Sequence, residues 1–92
     1  MNIIITEQDI KKGNPCDSEA CAVSQALSRH FNTHAVSTSI KKWKVFIRIN
    51  DQPYFVDKKD NQKVVDFIYA FDNLDFQENA VAPKPIKFKL NQ

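Results

Sequence analysis

Cys16, Cys21, His30 and His34 stand in the order of a two-cysteine, two-histidine zinc site, and a thiol near an imidazole is also the starting point for nucleophilic catalysis. The spacing opposes both chemistries. Eight residues separate Cys21 from His30, where a finger uses about twelve. The interval reads as continuous helix, which would hold Cys21 and His30 about 13 Å apart along its axis. No Asn or Asp stands where it would orient the imidazole. The sequence therefore predicts no metal site, no catalytic residue and no cofactor, with Cys16 and Cys21 as free thiols and Cys21 as a small buried apolar residue. A small enzyme using Cys16 or Cys21 is the least favoured reading; it would lose its function on alkylation.

Acid and base chemistry is no better equipped. Asp57 with Asp60 and Asp72 with Asp75 are carboxylate pairs, but they fall at a turn, at a helix start and after a helix, without the partners of a hydrolase. The chain's single glycine, Gly13, rules out a glycine-rich phosphate loop. What remains is binding chemistry. Lys41, Lys42, Trp43, Lys44, Phe46 and Arg48 interleave cations with aromatics that can stack on bases. A plain solvated surface is the alternative for each lysine.

The elements that would position these residues emerge from periodicity. Asn2 to Thr6 is rich in β-formers and reads as a buried strand, and Lys11 to Pro15 breaks any regular element after it. Asp17 is the expected N-cap of a first helix, with Ala20, Val23, Leu27 and Phe31 forming its apolar stripe. From His34 onward the period changes to two. Val36 and Thr38 start one strand, and Val45, Ile47 and Ile49 line the inner side of the next, with a reversal at Lys41-Lys42. Trp43 lies in register with the inner residues and is expected in the core, whereas Phe46 falls between Lys44 and Arg48 on the outer side. A second reversal at Asn50 to Pro53 leads to Tyr54-Phe55-Val56, giving a three-stranded meander. Lacking glycine, these turns are expected to exceed two residues or to use Asn50 and Asp51 in unusual backbone angles. Asp60 is the expected cap of a second helix from Asn61 to about Phe71. Ile86 to Leu90 alternates as a strand, with lysines that would guard a sheet edge. The order is β-α-β-β-β-α-β, an α+β fold with an antiparallel sheet packed by one or two helices.

A chain of 92 residues with 42% hydrophobic and 26% charged residues suits one globular domain, 1–92, with one modest core. The apolar run at Asn2 to Thr6 is too short for a signal segment or a membrane span, so a cytosolic protein is expected. The net charge of +2 hides segregation. Lys11, Lys12, Arg29, Lys41, Lys42, Lys44 and Arg48 lie in the first half, and Asp51, Asp57, Asp60, Asp66, Asp72, Asp75 and Glu78 come after them. One basic and one acidic surface would suit an assembly of protein and nucleic acid.

The residues Ile5-Thr6, Ile10, Gly13, Cys16, Cys21-Ala22-Val23 and Ala26-Leu27, succeeded by the alternating sheet and by Phe67-Ile68 with Phe71-Asp72, resemble a group of small phage proteins. Within it, the chain is similar to the anti-CRISPR proteins directed at the type I-F (Csy/Cascade) surveillance complex. Ala22 stands where a proline commonly follows the cysteine in that group, a departure that leaves the helix start intact. The resemblance implies a non-enzymatic inhibitor in the bacterial host cytoplasm, with Cas subunits and the guide RNA as partners and neither a membrane nor a small-molecule substrate. It carries no specific contacts, so the expected binding residues come from charge and chemistry. Arg29, Lys41, Lys42, Lys44, Phe46 and Arg48 would face nucleic acid or a Cas surface, and Asp57, Asp60, Asp66 and Asp72 would face basic Cas residues. The runner-up is a phage accessory protein that binds single-stranded nucleic acid directly through Lys44, Phe46 and Arg48.

Overall fold

The computed structural model describes residues 1–92. Strand β1 (Asn2–Ile5) runs into a helix that apolar periodicity does not announce, α1 (Glu7–Lys12). Its start is a capping box: the Thr6 hydroxyl accepts from the Asp9 N–H at 3.2 Å, and the Asp9 carboxylate accepts from the Thr6 N–H at 2.8 Å. Lys11 and Lys12 are thus the last turn of a helix rather than the start of a loop, and extended backbone at Gly13 ends it.

Helix α2 spans Ala22–Phe31, starting later than a cap at Asp17 would give. Asp17 instead closes a separate turn. Its carbonyl accepts from the N–H groups of Ala20 and Cys21, and its carboxylate from that of Glu19. Strands β2 (Val36–Lys41), β3 (Lys44–Ile49) and β4 (Gln52–Val56) form the expected meander. Helix α3 covers Asn61–Asp72, a short 3-10 turn comes next at Asn73–Asp75, and β5 is Ile86–Asn91.

The sheet has five antiparallel strands in the order β1-β5-β4-β3-β2. The last strand is therefore interior, not an edge: β1 pairs along one side of it and β4 along the other. The lysines of β5 cannot be edge guards. The true edges are covered in other ways. On β1, the Ile4 carbonyl accepts from Arg29 at 2.9 Å, and on β2 the Thr38 N–H donates to the Ser18 carbonyl at 2.9 Å.

Both hairpins of the meander are two-residue turns in which Lys42-Trp43 and Asn50-Asp51 adopt left-handed angles, φ of 50° and 64° and of 51° and 65°. This is the mirror-image turn whose twist suits a hairpin. Asn50 and Asp51 tolerate it, as the second of the two turn alternatives expected. Lys42 and Trp43 do so at roughly 1 kcal/mol or more each. The first reversal accordingly sits one residue later than Lys41-Lys42, and Trp43 is not core: it is 67% exposed at the turn.

One face of the sheet builds the core. Ile3, Ile5, Val36, Val45, Ile47, Ile49, Val56, Phe88 and Leu90 are buried there against Val23, Ala26 and Leu27 of α2 and Val64, Phe67, Ile68 and Phe71 of α3. Gly13 sits where backbones converge. A Cβ there would lie 2.6 Å from the Ala22 nitrogen and 2.9 Å from the Phe71 ring, which accounts for the chain's one glycine without any need for a positive φ. No helix is long and apolar enough to cross a membrane.

Candidate nucleic-acid interface

Strand periodicity sends alternate residues to the face that no helix covers. On β3 these are Lys44, Phe46 and Arg48, in an exposed and buried alternation. Register sets their neighbours: Lys41, Ser39 and Ser37 on β2, and Phe55 and Pro53 on β4 opposite Phe46 and Arg48. Strand β5 contributes Lys87, Lys89 and Asn91, and β1 contributes Asn2 and Ile4. The outward positions of all five strands hold Lys41, Lys44, Arg48, Lys87 and Lys89 and no carboxylate. None of these cations is in an ion pair; those of the chain are Arg29 with Asp9, Lys59 with Asp57 and Lys63 with Asp60.

Phe46 and Phe55 are cross-strand partners, 38% and 44% exposed. Two aromatic side chains side by side on a solvated sheet expose apolar area that the fold gains little from, and they offer flat surfaces to bases. A shallow groove of about 410 Å³ runs beside them, lined in part by Ser39, Lys41, Arg48 and Pro53.

The expected basic group is thus only partly assembled. Lys41, Lys44, Phe46 and Arg48 converge on the outer face, with Lys42 at the adjoining turn. Arg29 does not join them: its guanidinium bridges the Asp9 carboxylate at 2.7 Å and the Ile4 carbonyl, tying α2 to α1 and to the edge of β1. Phe55, Lys87 and Lys89 were not among the expected site residues. Phe55 had a signal in its alternation with Tyr54 and Val56. Lys87 and Lys89 were legible as outward-facing, but strand order alone reveals that β5 lies inside the sheet.

The acidic group does not form one patch. Asp60 and Asp72 lie at opposite ends of α3, about 18 Å apart along its axis. Each acid also has a local partner. Asp57 pairs with Lys59, Asp66 accepts from Gln62 at 2.9 Å, and Asp72 accepts from the Cys16 N–H at 2.8 Å. Asp60 accepts from the Lys89 N–H at 2.8 Å and pairs with Lys63. It precedes α3 but makes no side-chain cap bond to it. The Lys89 N–H holds the Asp60 carboxyl below its ordinary range against an opposing desolvation, with Lys63 and Lys59 adding to the lowering.

The thiols show no reactive pairing. Both cysteines are free, Cys16 exposed and Cys21 buried. Cys21 donates weakly to the Ser24 hydroxyl, which also meets the Ser18 carbonyl and the Thr38 hydroxyl in a buried link from α2 to β2. Desolvation first, and then the charges of Asp72 and Asp75, push the Cys16 thiol up from its ordinary value, the opposite of what a nucleophile needs. No group of His, Cys, Asp and Glu is placed to hold a metal ion. Comparison with protein-family models, with curated proteins and with solved structures finds no match to this chain.

Proposed function

We propose that the chain is a phage-encoded inhibitor of the type I-F CRISPR surveillance complex, acting in the bacterial host cytoplasm without catalysis. It lays its open sheet face on the guide RNA and the Cas subunits around it, and so denies target DNA the path to hybridisation. One observation carries this reading: an uncovered face with five cations, two paired aromatics and no carboxylate. Phosphates meet the lysines and arginine while unstacked bases meet Phe46 and Phe55. The acids act away from that face: Asp66 on α3, across the sheet from it, and Asp57 in the turn before α3 meet basic Cas side chains.

The test is co-elution of the purified chain with a purified type I-F complex, and then target DNA binding by the co-eluting fraction. The expected result is a stable assembly that no longer binds target DNA, and loss of both effects in the chain carrying Lys44→Glu and Arg48→Glu. Separate elution with intact DNA binding refutes the reading.

Direct binding of single-stranded nucleic acid without any Cas subunit is the second reading, favoured by the Phe46 and Phe55 pair. It predicts retention of free oligonucleotides. If all five outer cations are engaged, the logarithm of affinity falls with that of salt at a slope of about −3.5.

A further inference from the structure

The tip of the β2–β3 hairpin is held in a costly shape, and what it displays is the chain's only tryptophan. Lys42 and Trp43 both take left-handed angles that glycine or asparagine would adopt more easily. The arrangement is braced from behind. The Asn61 carboxamide donates to the Trp43 carbonyl at 2.9 Å and accepts from the Val45 N–H at 3.1 Å. Tyr69 meets the indole edge to face, with centroids 5.7 Å apart at 61°. Even so, Trp43 stays 67% exposed. Strain retained around an exposed, immobilised aromatic is characteristic of a binding position.

Charge indicates the occupant. Lys42 and Lys44 flank Trp43 directly in sequence and Lys41 stands one residue further; all three are exposed, and none is in an ion pair. Insertion of the indole into an apolar protein pocket would desolvate three cations beside it, whereas a polyanion satisfies them. Lys41 and Lys44 are also cross-strand partners whose side chains belong to the outer face. A strand lying on Phe46 and Phe55 therefore reaches the tip on positive surface, and it meets the indole, which leans toward Tyr69 of α3, by rounding the turn at Lys42.

We propose that the hairpin tip is a base-stacking site for single-stranded nucleic acid, in which one unstacked base lies on Trp43 and the adjoining phosphates are held by Lys41, Lys42 and Lys44. This rests on the reading that the outer face meets a single strand, and adds a contact beyond that face. Because Trp43 is unique, its emission reports the tip alone.

The experiment titrates the full chain with a fluorescein-labelled oligouridylate at low salt, monitoring anisotropy and Trp43 emission together. Quenching should share the midpoint of the anisotropy change. Trp43→Gly should weaken binding roughly 5- to 100-fold while melting no earlier than the unsubstituted chain, since glycine relieves the left-handed angle; Trp43→Phe should retain part of the affinity. Binding with unchanged emission, and equal affinity in Trp43→Gly, overturns the tip site. Loss of that same binding in Phe46→Ala with Arg48→Glu would show that the face itself still stands. No anisotropy change for the unsubstituted chain also overturns the tip as a base site, while co-elution with the surveillance complex reports separately on the proposed function. If Trp43→Gly then prevents co-elution, the occupant is a protein pocket.

Discussion

At the level of single residues, charge near the sheet has two distinct uses. Arg29 and Asp60 resemble binding residues by type, yet each satisfies backbone elsewhere in the fold: Arg29 serves the Ile4 carbonyl at the β1 edge, and Asp60 serves the Lys89 N–H of β5. Arg48 and Lys44 have no such employment. The lowered pKa of Asp60, caused first by the Lys89 N–H, sets a direction for stability. A carboxyl whose folded pKa lies below its unfolded value of about 3.9 contributes stability that is fully present above that value and is lost as pH falls through the folded one. Asp60→Asn keeps an acceptor but cannot titrate. The stability difference between the unsubstituted chain and this variant, from denaturant unfolding, should be constant between neutral pH and about 5 and shrink below about 4. A difference that grows on acidification would assign the acid sensitivity to another carboxylate.

At the level of elements, the fold depends on close approach more than on helix length. Helix α1 has only six residues, too few to persist alone. It is held by the Thr6 and Asp9 box, by the Asp9 bridge to Arg29 and by Gly13, which lets the chain pass against Ala22 and Phe71. Gly13→Ala adds only a methyl group, but its nearest neighbour is backbone that cannot swing aside. Thermal or denaturant unfolding should show a loss of about 1–3 kcal/mol. An unchanged midpoint would mean that α1 and α2 separate easily. At a φ of −70° alanine is unstrained and by itself would stabilise by restricting the unfolded chain, so the sign of the effect is diagnostic of the contact.

For the molecule as a whole, two layers imply two classes of sheet position. Inward residues such as Ile47 hold α2 and α3, and Ile47→Ala should cost about 2–5 kcal/mol. Outward Phe46 and Phe55 contribute a cross-strand pair and little else, so Phe46→Ser with Phe55→Ser should cost no more than about 1 kcal/mol. Unfolding of both variants by denaturant, with circular dichroism to confirm the retained fold, checks the contrast. Equal losses would mean that the outer face is structural, which would remove the strongest support for a nucleic-acid interface.

Local patterning was enough to read α3, β3, the meander, the outward position of Phe46 and the start of β1, because periods of two and 3.6 are imposed by backbone geometry within each segment. Helix α1 went unread because no apolar stripe announces it, although Thr6 and Asp9 have the spacing of the capping box that starts it. Other features depend on partners distant in the chain. Trp43 continued the inner register of β3 up to the residue where a left-handed turn ended it, and Asn61 and Tyr69 brace that turn from α3. The interior place of β5, the joining of Lys87 and Lys89 to Lys44 and Arg48, and the removal of Arg29 from that group all result from strand order and packing. The sequence alone determined which faces exist; which charges share one of them was decided only when the sheet closed around β5, since long-range pairing is not encoded in any local period.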